Sequence, residues 1–178
     1  MDSTFIFAGF GGQGVILAGK LLAQAGTDHG LHVTWLPSYG PEMRGGTANC
    51  TVVLSDEPIG SPVVDNPGAL VAMNLPSLDR FERAVLAEGA VVINSSLISR
   101  QVEREDIKGL TVPMNDIAVS LGSPRAANMV ALGAVVKATG VVPLDAVKGA
   151  VVKMLGHKAD AKLVEINEQA LDEGYRAV

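Results

Sequence analysis

Two patterns of apolar residues alternate along this chain of 178 residues. Short runs rich in β-branched residues and bounded by turn formers predict strands, whereas longer stretches with apolar residues three and four apart predict helices. The predicted strands are 4–10, 32–37, 47–55, 69–74, 90–95 and 109–115. The predicted helices are 12–30, 76–89, 123–140, 142–156 and 159–177, and the turn-rich stretch 55–68 has room for a short edge strand. This alternation predicts an α/β fold, a three-layer α/β/α sandwich.

The lengths of the connections predict how the first three strands run. A helix joins the first strand to the second, so these two strands should be parallel, with a right-handed crossover. Only about nine residues, 38–46, separate the second strand from the third, too few for a helical crossover. The third strand should therefore run antiparallel in a mixed, mostly parallel sheet with a Rossmann-like start. Residues 1–178 contain no linker-like tract or internal repeat, which predicts a single domain.

Glycine and proline mark several predicted helix ends. Gly30 and Gly140 each follow a helical stretch and predict C-caps, because glycine adopts the left-handed conformation without strain. Pro76 is expected in the first turn of its helix, a position that tolerates a missing N–H group. Ser123 and Pro124 predict an N-cap followed by the first helical residue.

The charge content is low for a protein of this size. Charged residues make up 19% of the chain and the mean hydropathy is +0.30, against roughly 25% charged residues in an average soluble domain. The surplus apolar surface must be buried either in a subunit interface or in a sheet covered by helices, and composition leaves both open. The net charge of −5 argues against binding to the phosphate backbone of a nucleic acid.

The cysteine and histidine contents limit metal and redox chemistry. Cys50 is the single cysteine, whereas a disulfide needs two and an iron–sulfur cluster usually needs four. It lies in the middle of a predicted strand, which favours a buried and inert thiol. The three histidines lack a metal-ligand spacing. The start MDSTFIFAGFGG has no basic segment and no apolar run of about 18 residues follows it, which predicts a cytoplasmic protein.

A glycine-rich turn follows the first predicted strand. Gly9, Gly11 and Gly14 fit the pattern G-x-G-x-x-G between a strand and a helix, the context of a dinucleotide-binding turn. The acid expected at the end of the second strand, which would bind the ribose, is missing. NAD is therefore disfavoured, while a bound anion or cofactor edge and a purely structural tight turn both stay open.

The stretch SYGPEMRGGTAN, 38–49, carries more polar chemistry than a plain connection needs. Parallel strands end at one edge of the sheet, so this loop should lie near the glycine turn, where open α/β sheets bind ligands. Arg44 beside Gly45 and Gly46 has the chemistry to bind a phosphate or carboxylate, and Glu42 to pair with Arg44 or with a partner chain. The alternative is that Glu42 and Arg44 only hold the loop in shape.

Further polar residues follow later strands. The run Asn94-Ser95-Ser96 extends the same predicted edge, and Arg125 and Asn128 are close enough to a helix start to reach it, although capping is the favoured interpretation for both. No Ser/His/Asp or Cys/His arrangement accompanies them, so no catalytic residue is assigned. These residues predict one part of a site.

Two segments carry a resemblance to a known family. GFGGQGVILAGKLL, 9–22, and SYGPEMRGGTANCTVVLSDEPIGSPVV, 38–64, resemble the gamma subunit of 2-oxoacid:ferredoxin oxidoreductases. The sequence YGPEMRGGTANC followed by SDEPIGSP is most similar to the 2-oxoglutarate type. The likeness extends over essentially the whole chain, including NMVALGA at 128–134.

The resemblance implies an assembly that oxidatively decarboxylates a 2-oxoacid with coenzyme A, giving an acyl-CoA, carbon dioxide and reduced ferredoxin. It implies alpha and beta partner subunits, with room for a ferredoxin-like delta subunit, and thiamine diphosphate and iron–sulfur clusters on those partners. This chain agrees, since it has no GDG thiamine diphosphate motif and one cysteine. The gamma chain would bind no cofactor alone, be inactive alone and form part of the interface and of the coenzyme A side of the site.

The resemblance also implies which residues face that site. Twelve of them lie in the two N-terminal segments, and Asn128 is the first residue of NMVALGA. They are Gly11, Gly12, Gln13, Gly14, Tyr39, Gly40, Pro41, Glu42, Met43, Arg44, Gly45, Gly46 and Asn128. The alternatives are an enzyme of the same family that acts on pyruvate or another 2-oxoacid, and a free-standing dinucleotide-binding α/β protein.

Overall fold

The computed structural model describes residues 2–39, 47–157 and 160–178. In these parts the strands lie in the first two thirds of the chain, interrupted by two α-helices, and the other α-helices follow the last strand. The strands are β1 Ser3–Phe10, β2 His32–Tyr39, β3 Thr47–Ser55, β4 Ala69–Ala72, β5 Ala90–Asn94 and β6 Lys108–Val112. The α-helices are α1 Val15–Asp28, α2 Leu75–Phe81, α3 Met114–Ser120, α4 Ala127–Thr139, α5 Leu144–Leu155 and α6 Ala161–Arg176. Short 3-10 helices occupy Glu82–Ala84 and Pro124–Ala126.

The strands form one mixed sheet in the order β2-β3-β1-β4-β5-β6. The strands β1, β4, β5 and β6 are parallel, while β3 is antiparallel to both β1 and β2. The predicted direction of β3 is thus confirmed, and β2 points the same way as β1. The two are not neighbours, because β3 returns between them and pairs with β1 along its whole length, from Ser3↔Leu54 to Phe10↔Thr47.

The two faces of the sheet are covered unequally. Alternate residues of β1 point to opposite faces, so Phe5 and Phe7 join the larger core while Ile6 and Ala8 join the smaller one. Helices α1, α3, α4, α5 and α6 pack in the larger core, and α2 supplies Leu78 to the smaller one. The three-layer α/β sandwich is confirmed, with a thin second helical layer. No helix in the described parts of the chain is long and apolar enough to cross a membrane.

Several predicted boundaries need correction. The helix predicted at 76–89 ends at Phe81 and continues as the 3-10 helix, and no additional strand follows β3 in 56–68. Pro113 ends β6, and the unpredicted α3 begins directly after it because the side chain of Asn94 accepts from the backbone N–H of Met114. Ser123 does not cap through its side chain, and its carbonyl instead accepts from Ala126 in the 3-10 helix.

Helices α4 and α6 cross at two glycines. Ten consecutive residues of α4, from Ala127 to Val136, are buried, so this helix lies between the sheet and α6. A β-carbon on Gly133 would lie 2.1 Å from the carbonyl oxygen of Leu171, and one on Gly174 would lie 1.9 Å from that of Val130. Neither backbone oxygen can turn away as a side chain can, so glycine is required on both helices.

We expect Gly174→Ala to lower the free energy of unfolding by about 3 kcal/mol or more, because the added methyl group forces the helices apart. Urea unfolding followed by circular dichroism measures this change. The matched control is Gly149→Ala in α5, where a β-carbon meets nothing within 4 Å, and there a gain of about 0.5–1 kcal/mol in helix stability is expected. Similar effects of the two substitutions would contradict this account of the crossing.

A buried carboxylate fastens the segment after β5 to the smaller core. Glu82 is 3% exposed and accepts from Nη1 of Arg100 at 2.8 Å and from the backbone N–H of Glu103. Arg100 also pairs with Asp79 at 2.6 Å. These bonds join the 3-10 helix after α2 to residues about 20 positions further along the chain.

Glu82→Ala should lower the free energy of unfolding by about 2 kcal/mol, because it removes a buried acceptor that Arg100 and the backbone N–H of Glu103 share. The control is Glu173→Ala, which breaks an ion pair whose side chains are 43% and 70% exposed and should change stability by less than about 0.5 kcal/mol. Thermal unfolding of both variants tests this, and equal losses would show that burial of Glu82 is unimportant.

Candidate functional site

Polar residues from separate parts of the sequence meet at the carboxyl edge of the parallel strands. The glycine turn follows β1, Asn74 follows β4, Asn94 ends β5 and Asn115 lies just beyond β6. The glycine turn and Asn115 line a cleft of about 170 Å³. The residues that line the cleft are Gly12, Gln13, Met73, Asn115, Pro124, Arg125 and Ala127. This edge is where open α/β sheets bind ligands.

The glycine turn has a backbone that only glycine adopts easily. Gly12 and Gly14 have φ angles of 95° and 74°, and Gly14 is the N-cap of α1. A β-carbon on Gly14 would lie 2.4 Å from Nδ2 of Asn128. Gly11 and Gly12 are exposed, no described side chain caps α1, and its first turn contains no acid. The turn therefore presents exposed backbone and a helix N-terminus to the cleft.

The side chain of Gln13 folds back over this turn. Its Oε1 accepts from the backbone N–H of Phe10 at 2.7 Å and from Nδ2 of Asn74 at 3.3 Å. Its Nε2 donates to the carbonyl oxygen of Met73 at 3.3 Å. Gln13 thus connects the ends of β1 and β4. The amide groups of Gln13 contact the protein, and a ligand contact of Gln13 stays a prediction.

Asn128 supports the turn from the opposite side. It is 4% exposed and its Nδ2 donates to the carbonyl oxygen of Gly14 at 3.1 Å. That oxygen also accepts from the N–H of Ala18 in α1. Capping was the favoured interpretation of Asn128, and it is wrong, because the side chain bonds to α1 and not to its own helix.

The loop after β2 begins and ends beside the glycine turn. Thr47 at the start of β3 is paired with Phe10, and Tyr39 at the end of β2 is paired with Ala48. The side chain of Tyr39 is 56% exposed. The predicted neighbourhood of the two segments therefore holds for the strand ends. The site residues predicted within the loop lie outside the described residues: Glu42, Arg44, Gly45 and Gly46.

Electrostatically the cleft is neutral to positive. None of the lining residues within the described ranges is acidic, and Arg125 makes no ion pair with any residue in those ranges. The acid nearest to Asn115 in sequence, Asp116, is bonded to Ser96 at 2.9 Å. Backbone N–H groups and a guanidinium without carboxylates suit an anionic ligand.

Three asparagines at this edge make structural hydrogen bonds that the sequence analysis did not predict. Asn74 caps α2 by accepting from the N–H of Ser77 at 2.9 Å, for which the pattern Asn-x-Pro before a helix is a usable signal. Asn94 is fully buried. Asn115 has no sequence signal, since its role comes from a contact with Asn94, 21 residues away.

Cys50 is buried against the first turn of α1, as predicted. Its thiol donates to the carbonyl oxygen of Val15 at 3.4 Å. Burial raises the pKa of the thiol to about 12. A single protonated thiol does not fit the ligand set of an iron–sulfur cluster.

The raised pKa predicts a pH dependence of stability. Because the folded chain keeps Cys50 protonated up to about pH 12, its contribution to stability is complete below the pKa of an unfolded thiol, about 8.5. It should be lost progressively as the pH rises from there towards 12. We expect the urea midpoint of the native chain to fall more steeply between pH 8 and 11 than that of Cys50→Ala. Parallel curves would contradict the assignment.

Comparison with known proteins identifies the family. The model of the family described as pyruvate ferredoxin/flavodoxin oxidoreductase matches residues 4–177. The chain belongs to this family. The resemblance noted in the sequence is therefore confirmed at the level of the family.

The relatives are oxidoreductase subunits with different substrates in their names. Ketoisovalerate oxidoreductase subunit VorA of Methanothermobacter marburgensis is 42% identical over 94% of this chain, which spans only 34% of that relative. The 2-oxoglutarate synthase subunit KorC of Methanocaldococcus jannaschii is 33% identical over 98% of this chain and 93% of its own length. The chain thus spans about a third of VorA but nearly all of KorC.

Two solved structures have the same fold. The gamma subunit of a keto/oxoacid ferredoxin oxidoreductase from Geobacter sulfurreducens matches with a TM-score of 0.87 and 29% identity over 99% of this chain and 95% of its own. A 2-oxoglutarate:ferredoxin oxidoreductase from Magnetococcus marinus, with 2-oxoglutarate, coenzyme A and succinyl-CoA bound, matches with a TM-score of 0.88 and 25% identity. That match covers 99% of this chain and 31% of the other.

Proposed function

We propose that this family member is the gamma subunit of a multi-subunit enzyme that oxidatively decarboxylates 2-oxoglutarate with coenzyme A. The products would be an acyl-CoA, carbon dioxide and reduced ferredoxin. The observation that carries the substrate is the end-to-end match to KorC, a 2-oxoglutarate synthase subunit of nearly the same length. A second KorC, from Methanothermobacter marburgensis, is 39% identical over 85% of both chains.

A ketoisovalerate enzyme is the second candidate. The higher identity to VorA, 42%, favours it, although only a third of VorA is matched. A pyruvate enzyme is weaker, since the pyruvate synthase subunit PorC of Thermotoga maritima is 30% identical. A free-standing dinucleotide-binding protein is disfavoured because β2 ends at Ser38 and Tyr39 without the acid that binds a ribose.

The proposal places the remaining chemistry on other chains. Alpha and beta subunits, with or without a ferredoxin-like delta subunit, would carry thiamine diphosphate and the iron–sulfur clusters, and ferredoxin would accept the electrons in the cytoplasm. Two observations support separate cofactor-bearing partners. The only thiol of this chain is buried and bonded to Val15, and in VorA the matched region is one part of a longer polypeptide.

The role of this chain in the reaction would be to bind and orient coenzyme A. The cleft of about 170 Å³ is smaller than the roughly 300–1,000 Å³ of a typical ligand site, so it would hold one end of the molecule. Arg125 and the exposed backbone of Gly11 and Gly12 would contact phosphate oxygens. The loop residues Glu42 and Arg44 and partner chains would complete the pocket. No described residue is assigned a proton transfer or a covalent step.

The first experiment is native co-purification of the tagged chain, followed by viologen reduction with 2-oxoglutarate, ketoisovalerate and pyruvate. We expect partner subunits with thiamine diphosphate and iron–sulfur clusters, and the highest kcat/KM with 2-oxoglutarate. A higher kcat/KM with ketoisovalerate would select the second candidate. Recovery of the chain alone would contradict the proposed assembly.

Arg125→Ala in the assembled enzyme should raise the KM for coenzyme A about tenfold, because one charge-assisted hydrogen bond is lost. The KM for the 2-oxoacid and the folding of the chain should not change, since Arg125 is exposed and unpaired among the described residues. Arg176→Ala on α6 is the charge-matched control, with a side chain that is 70% exposed. An unchanged KM for coenzyme A would contradict the assignment of Arg125.

A further inference from the structure

Asn115 lines the cleft beside Arg125 and Gly12, yet no part of the proposed function so far uses it. It is half-buried in the first turn of α3 and makes one side-chain hydrogen bond with the residues that the structure describes. What it offers to a ligand depends on which way its amide is turned. That orientation follows from its neighbour Asn94.

Two backbone groups fix the amide of Asn94. The N–H of Met114 needs an acceptor and lies 3.2 Å from Oδ1 of Asn94, while the carbonyl oxygen of Met73 needs a donor and lies 3.2 Å from Nδ2. Reversing the amide would set N–H against N–H and oxygen against oxygen in a fully buried side chain. The orientation of Asn94 is therefore determined by the backbone around it.

The orientation of Asn115 follows from that of Asn94. The second hydrogen on Nδ2 of Asn94 points to Asn115 at 2.7 Å, so Asn115 must present its oxygen there. The NH2 group of Asn115 takes no part in this bond. Within 2–39, 47–157 and 160–178 no protein acceptor is bonded to that group.

The groups that this cleft offers are therefore mainly donors. Asn115 presents an NH2 group, Arg125 presents a guanidinium, and none of the lining residues that the structure describes is acidic. The carbonyl oxygen of Met73 already accepts from both Gln13 and Asn94. A ligand that satisfies such a lining must bring acceptors, and an anionic oxygen is the strongest of these.

We infer that Asn115 is a specificity-determining residue whose NH2 group, oriented by the positioning residue Asn94, donates a hydrogen bond to an anionic oxygen of the bound substrate. The identity of that substrate rests on the proposed function. The oxygen belongs to a phosphate of coenzyme A or to a carboxylate of the 2-oxoacid, and both would be recognised by the same donors. An amide donor of fixed direction selects an acceptor at one position, which a flexible arginine alone does not.

The test compares Asn115→Asp, Asn94→Asp and the control Asn66→Asp in the assembled enzyme. The first variant replaces the donor by an acceptor of the same size. The second keeps an oxygen for Met114 but sets its other oxygen against both Asn115 and the carbonyl oxygen of Met73, so that the amide of Asn115 turns its own oxygen towards the cleft. Because this change buries a carboxylate, circular dichroism and thermal unfolding of the variant check that it remains folded. Asn66 donates to the carbonyl oxygen of Ala84 at 2.9 Å. It precedes β4 and lies at the opposite end of the parallel strands from the cleft. Asn66→Asp therefore makes the same change in charge at a position outside the site.

We expect the first two variants to raise the KM for one substrate about tenfold, equivalent to about 1.4 kcal/mol, with the other KM and kcat within about twofold. A rise for coenzyme A assigns the phosphate, and a rise for the 2-oxoacid assigns the carboxylate. Asn66→Asp should change neither. Unchanged KM values in Asn115→Asp would overturn the inference, and an effect in Asn115→Asp without one in Asn94→Asp would overturn the positioning role of Asn94.

The isolated full chain separates this inference from the proposed function. If no partner subunits co-purify, the proposed function fails, and the ¹⁵N-labelled chain is titrated with pyrophosphate and with 2-oxoglutarate while the side-chain amide signals are recorded. A saturable shift of the Asn115 NH2 signal, lost in Asn94→Asp and kept in Asn66→Asp, supports the inference on its own. The absence of any shift with either probe overturns it.

Discussion

The arrangement of the site depends on the backbone carbonyl of Met73, at the end of the central strand β4. This oxygen accepts from Gln13 at 3.3 Å and from Asn94 at 3.2 Å. One bond ties it to the glycine turn after β1, and the other ties it to β5 and, through Asn94, to Asn115 at the start of α3. Because carboxamides and not ionised groups make these bonds, the arrangement does not depend on a protonation state near neutral pH. These hydrogen-bonded groups are thus uncharged, and Arg125 supplies the charge of the described lining.

The low charge content has an internal explanation. All residues of β4 and β5 are buried, and so are ten consecutive residues of α4 between the sheet and α6. A helix buried on nearly every side and strands covered on both faces consume apolar residues without any partner chain. Of the two explanations that composition left open, the buried sheet is therefore present in this fold. An interface with partner subunits would add to this burial.

The described lining of the cleft carries groups of one chemical kind. Its polar groups are amide donors, exposed glycine backbone and the guanidinium of Arg125. Groups of this kind are suited to bind and orient an anion, and none of those described is suited to accept a proton or attack a carbonyl. Such a division of labour agrees with a family in which the same fold occurs as a separate gamma subunit in one solved structure and as about a third of a longer chain in another.

The sequence by itself determined what depends on neighbouring residues. Strand and helix periodicity, the glycine turn, the antiparallel return of β3 and the glycine caps at Gly30 and Gly140 all follow from local spacing and from backbone conformations that favour glycine. Tertiary structure decided what depends on distant partners. Three features depend on contacts that exist only once the sheet has formed. They are the start of α3, the hydrogen bond from Asn128 to Gly14 across 114 residues, and the orientation of Asn115. The physical reason is that the pattern of apolar residues encodes which face of an element is buried, whereas a buried amide takes its role from whichever backbone groups the completed fold leaves without partners.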